Sequence, residues 1–211
     1  KDLAGQESLQ PLATKICAAV RGLDAIVRDV LSFAREIRLR PTVLALEDLL
    51  AGALADCGGL LEEAGVEVAP LRVSPVEGGV VADASLLKVV CSNLIRNAAE
   101  AMAEMPGSDQ HPRTLEIRAG LETGSEGEAV VIRFLDRGPG VSPEVRERMC
   151  NPFFTTRAAG TGLGLAIVHR ILEAHGASLE VQSRGDGLGG AEFIIRLPRE
   201  GKSSRDVETH G

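Results

Sequence analysis

Residues 151–170 read NPFFTTRAAGTGLGLAIVHR, and three glycines there alternate with Thr161 and Leu163 directly before an apolar helical pattern. The glycines are Gly160, Gly162 and Gly164. Backbone N–H groups converge where a glycine-rich turn opens a helix, and the helix dipole favours an anion at that point. The spacing is G-x-G-x-G, which matches neither the G-x-G-x-x-G dinucleotide motif nor a phosphate loop ending in Gly-Lys-Ser/Thr. Taken alone, the stretch fits either an anion site or a plain loop before a capped helix.

The composition is that of a globular protein with an aliphatic core. Of 211 residues, 44% are hydrophobic, 25% are charged and only 2% are aromatic, with no Trp and no Tyr. The formal net charge of −7 and the lack of stacking aromatics disfavour a nucleic-acid surface, which needs basic patches. No apolar run approaches the roughly 20 residues of a membrane span. We therefore predict a cytoplasmic location, no nucleic-acid partner and no membrane contact by this fragment.

Residues 9–37 carry a heptad pattern that is typical of a long helix. The apolar residues recur at alternating steps of three and four, at Leu9, Leu12, Ile16, Ala19, Leu23, Ile26, Val30, Phe33 and Ile37. Pro41 closes the segment, because the residue before a proline disfavours the helical conformation. A seam of this length packs on the chain's own core or, as we expect, in a helical hairpin or dimeric bundle.

After Pro41 the pattern becomes mixed. We predict helices over residues 47–64, 83–105, 142–149 and 163–175. We predict strands over residues 42–46, 66–73, 80–82, 114–121, 129–136, 177–183 and 190–198. This order predicts an α+β fold, a two-layer sandwich with helices on one face of a mixed or antiparallel sheet.

The helix predicted from Asp83 carries a second polar feature. Asn93 and Asn97 are four residues apart, so they share a helix face, and Arg96 and Glu100 flank them. Asparagine is a mediocre helix former, so two of them in mid-helix have a local cost. Their amide oxygens suit Mg²⁺, which binds a few protein oxygens together with water and phosphate. The pair fits either a Mg²⁺–phosphate site or two asparagines on a solvated face.

A third feature is FLDRGPG, at residues 134–140, where Asp136 ends an apolar strand and Gly138 and Gly140 follow. A carboxylate at the end of a buried strand can accept a hydrogen bond from an exocyclic amine. The glycines let a ring approach the backbone closely. As a turn sequence, however, Asp-x-Gly-x-Gly is common.

In this order, N-x-x-x-N, D-x-G-x-G, P-F-F-T-T and G-T-G-L-G-L-A resemble the N, G1, F and G2 boxes of two-component sensor histidine kinases. These kinases belong to the GHKL ATP-binding superfamily, together with gyrase B, MutL and the ninety-kilodalton heat-shock chaperone. The resemblance covers residues 9–198 and implies the Bergerat fold, which binds ATP with Mg²⁺ beside a mobile lid. Only two residues separate Arg157 from Gly160. Such a short lid resembles the nitrogen-regulation-like branch of the family.

The resemblance implies how the nucleotide is held. Asp136 would bind the adenine amino group, with Gly138 and Gly140 beside it. Asn93 and Asn97 would be the ligands of Mg²⁺ and phosphate. Lys88 or Arg96 would neutralise phosphate, and the lid would be anchored by Phe153, Phe154, Thr155 and Thr156. The residues that would surround the triphosphate are Gly160, Thr161, Gly162, Leu163 and Gly164.

The resemblance also separates phosphoryl transfer from hydrolysis. Relatives that hydrolyse ATP carry a Glu four residues before the Mg²⁺ asparagine, where it acts as a general base. Asn93 occupies that position and cannot take a proton at neutral pH. We therefore expect a protein-histidine kinase in which Asn93 and Arg157 are catalytic and Arg157 reaches the terminal phosphate. The alternatives are a GHKL ATPase, an anti-sigma-type serine kinase and a non-catalytic nucleotide-binding scaffold.

The resemblance divides the chain into three parts. Residues 1–41 resemble the second helix of the dimerisation and histidine-phosphotransfer hairpin, residues 42–198 the catalytic domain, and residues 199–211 a disordered tail. The family's His-Glu-x-Arg-x-Pro box is missing, and none of His111, His169, His175 and His210 fits it. We therefore expect the phosphoacceptor outside this fragment. The implied partners are a cognate response regulator and a second copy, bound through the N-terminal helix of a longer sensor.

Overall fold

The computed structural model describes residues 36–105, 112–124, 127–157, 160–184 and 189–199, and eight isolated positions between 13 and 33. The helices are α1 (Leu46–Glu63), α2 (Ala84–Ala103), α3 (Pro143–Arg148) and α4 (Gly164–Ala174). The strands are β1 (Thr42–Leu44), β2 (Glu67–Val68), β3 (Arg72–Val73), β4 (Val80–Ala82), β5 (Thr114–Gly124), β6 (Gly127–Leu135), β7 (Ser178–Ser183) and β8 (Ala191–Pro198).

Six strands form one mixed sheet. Its order is β2–β5–β6–β8–β7, and β3 also pairs with β5. β5 and β6 form an antiparallel hairpin, β8 runs antiparallel to both of its neighbours, and β2 and β3 run parallel to β5. Of the two predicted sheet types, mixed and antiparallel, the mixed type is confirmed.

The helices cover one face of this sheet, as predicted. α2 contacts β5 and β6, α4 contacts β7, and α1 packs on α2. Alternate strand residues such as Ile132 and Phe134 are almost completely buried against helix residues such as Leu94. The other face carries arginine–glutamate pairs, including Arg133 with Glu122 at 2.8 Å. A charged ladder explains why helices pack on only one side.

The predicted strand over residues 66–73 is wrong in one respect, because it is divided into β2 and β3. Ala69, Pro70 and Leu71 separate the two short strands. Proline has no backbone N–H to donate to a ladder, so the edge of the sheet breaks there. β1 and β4 pair antiparallel in a small separate sheet, which was not predicted.

Helix α2 begins at a strong N-cap. The Asp83 carboxylate accepts hydrogen bonds from the backbone N–H groups of Ser85 and Leu86, both at 3.1 Å, and from the Ser85 hydroxyl at 2.6 Å. It also accepts one from the backbone N–H of Arg40 at 2.8 Å. The backbone N–H of Asp83 donates to Nε2 of His175 at the end of α4. One residue thus ties the start of α2 to the chain before β1 and to α4.

The N-terminal segment is helical at all eight described positions: Ala13, Ile16, Val20, Leu23, Val27, Val30, Leu31 and Phe33. Leu9, Leu12, Ala19 and Ile26 of the predicted seam lie outside the described residues. Ile16 and Leu23 are 54% and 62% exposed, so these seam residues do not lie on the chain's own core. Phe33 does pack against the core, and the Arg170 guanidinium lies 4.9 Å from its ring centroid.

The predicted helix end is wrong, because residues 36–40 are not helical and Ile37 lies beyond the helix. The bond from the Arg40 N–H to Asp83 takes the place of a helical bond to residue 36. No helix in the part of the chain that the structure describes is long and apolar enough to cross a membrane.

Candidate functional site

A cavity of about 680 Å³ opens between α2, α3, the start of α4 and the adjoining ends of β6 and β8. This volume is in the usual range for a small-molecule site. The predicted site residues that line it are Arg96, Asn97, Asp136, Gly140, Phe154, Thr155, Thr156, Arg157, Gly160, Thr161, Gly162 and Gly164. The structure therefore brings four separate sequence motifs to one cavity.

Part of the cavity wall is apolar. Its aliphatic, aromatic and thioether side chains include Ala101, Val141, Val145, Met149, Leu165 and Phe193. A wall of this kind can bury a flat ring system against carbon atoms, while the polar residues at other points of the cavity orient it.

Asp136 lies at the end of β6 and is 3% exposed. The backbone N–H groups of Gly138 and Ala191 donate to its Oδ1 at 2.8 and 3.1 Å. Among the described residues, no donor bonds to Oδ2, which therefore remains an acceptor for a ligand. Burial raises the pKa of the Asp136 carboxyl, and the two backbone hydrogen bonds act in the opposite direction.

The backbone of Asp136 is held as firmly as its side chain. Its N–H donates to the carbonyl of Ala191 at 3.0 Å, and the buried Arg184 guanidinium donates to its carbonyl at 3.3 Å. Neither Arg184 nor Ala191 was predicted as a site residue, since both lie about 50 residues beyond Asp136 along the chain. Ala191 belongs to the predicted strand over 190–198, and Arg184 directly follows the predicted strand over 177–183.

The two asparagines of α2 are half-buried. Asn97 lines the cavity directly. Nδ2 of Asn93 donates to the Val89 carbonyl at 2.9 Å. Its Oδ1 lies against the start of α4, since a Cβ added at Gly164 would be only 3.0 Å from it. The pair is therefore not on an open solvated face.

The glycine stretch forms the start of α4. Gly162 has a φ of 67°, and a Cβ there would lie 2.5 Å from the carbonyl carbon of Phe153. The Phe153 N–H donates to the Gly162 carbonyl at 3.0 Å, and Oγ1 of Thr161 accepts from the Leu163 N–H at 3.2 Å. The first amides of a helix have no intrahelical partner. Here they adjoin the cavity through Gly164, so this end of α4 suits an anion.

Arg157 is turned toward α2. Its guanidinium pairs with Glu100 and donates to the Asn97 carbonyl at 2.9 Å. Nε lies 3.5 Å from the Glu104 carboxylate. Glu104 was not predicted as a site residue, although it shares a helix face with Asn97 and Glu100 at steps of three and four.

Five of the predicted residues do not line the cavity. Lys88 instead pairs with Asp56 of α1 at 2.8 Å, so it is not placed to neutralise a phosphate there. Asn93 contacts Gly164, Gly138 packs beside Ala101, and Leu163 is buried in the core. Phe153 is 70% exposed and has a φ of 65°.

Residues 82–201 match the family described as histidine kinase-, DNA gyrase B-, and HSP90-like ATPase. This match covers more than half of the chain. The chain belongs to this family. Its sandwich is accordingly the Bergerat-type fold that the sequence predicted, and the match includes α2, Asp136 and the glycine stretch.

Sensor proteins are similar to this ATPase-family chain over most of its length. The C4-dicarboxylate transport sensor protein DctS of Rhodobacter capsulatus is 36% identical over 187 residues, which are 87% of this chain and 26% of DctS. The chain thus spans about a quarter of that relative. Full-length ShkA, solved in complex with AMPPNP, has a TM-score of 0.71 at 29% identity, covering 90% of this chain and 38% of ShkA. Histidine kinase ThkA, solved in complex with response regulator protein TrrA, has a TM-score of 0.71 at 25% identity, covering 93% of this chain and 53% of that chain.

Proposed function

We propose that this chain is the ATP-binding catalytic region of a two-component sensor histidine kinase. It binds Mg²⁺-ATP in the described cavity and transfers the γ-phosphate to a histidine outside these 211 residues. The observation that carries the proposal is the meeting of Asp136, Asn97 and the α4 N-terminus around one cavity. Family membership and the AMPPNP complex of ShkA support ATP as the ligand.

Asp136 selects the base. Its Oδ1 is occupied by the N–H groups of Gly138 and Ala191, so Oδ2 accepts from the exocyclic amine of adenine. An ionised carboxylate has no hydrogen to donate, so it does not match the carbonyl that guanine carries at the same place. The apolar wall with Val145, Met149 and Phe193 buries the faces of the ring.

The triphosphate lies between α2 and α4. The first amides of α4 donate to phosphate oxygens, and Arg96 adds a positive charge from α2. The amide oxygens of Asn93 and Asn97 suit a hard cation. In Asn93 it is Nδ2, and not the amide oxygen, that bonds to the Val89 carbonyl. Mg²⁺ held by these two residues would neutralise charge on the phosphates.

The transfer step breaks the bond between the γ-phosphorus and the oxygen that bridges to the β-phosphate. A histidine ring nitrogen forms the new P–N bond, and ADP leaves. Such a step depends on positioning and charge neutralisation rather than on a covalent enzyme intermediate. Asn93 stands where a hydrolytic relative needs a base, so water is not activated there.

The acceptor histidine comes from outside the chain. Both ring nitrogens of His175 are engaged, since Nε2 accepts from the Asp83 N–H and Nδ1 lies 2.7 Å from the Ile171 carbonyl. His169 is exposed on α4 and pairs with Glu173 at 4.0 Å. His111 and His210 lie outside the described residues.

The remaining assignments follow from the kinase proposal. Residues 1–41 are the second helix of the dimerisation and phosphotransfer hairpin, residues 42–198 the catalytic domain and residues 199–211 a tail. The exposed seam residues Ile16 and Leu23 support dimerisation through this helix. The ThkA–TrrA complex supports a cognate response regulator as partner. The location is cytoplasmic, and the two-residue step from Arg157 to Gly160 favours the nitrogen-regulation-like branch.

The test is transfer from γ-labelled ATP with Mg²⁺ to a separately supplied helical hairpin that carries a His-Glu-x-Arg-x-Pro box. The proposal predicts acid-labile, base-stable label on that histidine, and its loss in Asn97→Ala. Steady release of phosphate without transfer would instead indicate an ATPase. If the chain binds ATP but neither hydrolyses it nor transfers phosphate to hairpins from several kinases of this type, it would instead be a scaffold. A hairpin with His replaced by Gln is the matched control.

A further inference from the structure

Helix α2 contacts every nitrogen of the Arg157 guanidinium. Nη1 pairs with Glu100, Nη2 donates to the Asn97 carbonyl at 2.9 Å, and Nε lies 3.5 Å from Glu104. The Arg157 side chain is 22% exposed, while those of Glu100 and Glu104 are 39% and 58% exposed. Arginine donates five N–H groups through a fixed planar fork, and these contacts occupy part of it, so a bidentate bond to a phosphate would compete with them.

The two glutamates would repel each other without a positively charged partner. Glu100 and Glu104 both line the cavity, on the same helix as Asn97. They are four residues apart on α2, and like charges at this spacing destabilise a helix. The guanidinium of Arg157 compensates their charge while no nucleotide is present.

We propose that Glu100 and Glu104 form a resting cradle for Arg157, which leaves them for the terminal phosphate when Mg²⁺-ATP binds. This inference rests on the proposed function, since it names what the catalytic arginine does before the nucleotide arrives. The exchange has a favourable direction. Partly exposed arginine–carboxylate pairs are weak, whereas arginine binds phosphate oxygens in a bidentate, charge-assisted manner. Glu100 and Glu104 are accordingly positioning residues, which act through Arg157.

Cleavage by trypsin reports whether the two glutamates hold Arg157, because cutting the Arg157–Ala158 bond requires the Arg157 side chain to enter the protease's own pocket. The rate of cleavage after Arg157 is measured by mass spectrometry and divided by the rate after Arg38, whose side chain is 81% exposed. The variants are Glu100→Gln with Glu104→Gln, and Glu173→Gln as the matched control on α4. Thermal unfolding of each variant verifies that it is folded.

Without nucleotide, we expect slow cleavage after Arg157 in the parent and in Glu173→Gln. In the double variant we expect the cleavage ratio to rise about fivefold or more, as the loss of two ion pairs allows. Mg²⁺ with a non-hydrolysable ATP analogue should restore protection in the double variant, and Mg²⁺-ADP should restore much less of it. Equal cleavage of parent and double variant without nucleotide would overturn the cradle. So would a double variant that ATP and ADP protect equally.

Failure of the inference and failure of the proposed function are distinguishable. Nucleotide binding by the parent is measured separately by calorimetry. If the parent binds ATP but the double variant is cleaved like the parent, only the cradle is wrong. If the parent binds no ATP, the proposed function is wrong, and the exchange to phosphate is wrong with it.

Discussion

Two buried aspartates, Asp83 and Asp136, show how one residue type serves structure in one region and binding in another. They are 5% and 3% exposed, and each follows a strand. The Asp83 carboxylate accepts four hydrogen bonds, divided between both of its oxygens. From the residues that the structure describes, that of Asp136 accepts two, both on Oδ1.

The pKa values of the two carboxyls shift in opposite directions. Burial pushes the pKa of Asp83 upward, but hydrogen bonds from Ser85, Arg40 and Leu86 outweigh it and leave the pKa lowered. At Asp136 burial dominates, and the pKa is raised. A carboxylate that the chain satisfies completely belongs to the framework, whereas one left with an open oxygen at a cavity belongs to a binding site.

The largest expected effect is that of Asp136→Asn on nucleotide binding. The amide can still accept from Gly138 and Ala191, but it places an N–H₂ where the adenine amine needs an acceptor. We expect ATP affinity to fall by about 2–3 kcal/mol, or roughly 30- to 150-fold, with discrimination against GTP also reduced. Calorimetric titration with both nucleotides measures this. Unchanged ATP affinity would show that Asp136 is not the base-binding residue.

Asp83→Ala should show the opposite profile. It removes the N-cap of α2 and the bond to Arg40, so the free energy of unfolding should fall by about 1–2 kcal/mol. ATP affinity, measured at a temperature where the variant is folded, should stay near that of the parent. Urea unfolding and ATP titration of the same sample give both values. A large loss of affinity without loss of stability would break the comparison.

The pH dependence of stability should separate the two residues by sign. Because the folded-state pKa of Asp83 is lowered, its contribution is present above the unfolded pKa and is lost as the pH falls through the folded value. The parent's advantage over Asp83→Asn should therefore shrink between about pH 6 and pH 3. The raised pKa of Asp136 has the opposite consequence, so the stability of the parent relative to Asp136→Asn should increase as the pH falls over the same range. Urea unfolding across this range measures both, and shifts of the same sign would contradict the assignment.

The smallest expected effect is that of Lys88→Ala. The Lys88 ammonium pairs with Asp56 on α1, away from the cavity. This exposed pair should contribute less than about 1 kcal/mol to stability, and ATP affinity should change by less than about twofold. Arg96→Ala, on the cavity side of the same helix, is the matched variant and should weaken ATP binding more. A larger loss of ATP affinity in Lys88→Ala than in Arg96→Ala would show that Lys88 contributes to ATP binding.

The sequence predicted the features that depend on local pattern and missed those that depend on contacts between distant segments. The helix after Asp83 and the hairpin of β5 with β6 follow from periodicity and capping, so they were predictable. The motifs also predicted that Asn97, Asp136 and Gly164 would share a site, and the structure places all three at one cavity.

The errors have physical causes outside the local pattern. The helix ends before Ile37 because the Arg40 N–H bonds to Asp83, 43 residues away. Lys88 faces α1 rather than the cavity because Asp56 is its partner. The pairing of Arg157 with Glu100 joins residues 57 apart, which no short motif specifies.

The most direct test of the central claim is a crystal structure of this chain with Mg²⁺ and a non-hydrolysable ATP analogue. We expect the adenine amine about 3 Å from Oδ2 of Asp136, the triphosphate at the start of α4, and Mg²⁺ on the oxygens of Asn93 and Asn97. A nucleotide bound elsewhere, or one whose base does not touch Asp136, would contradict it.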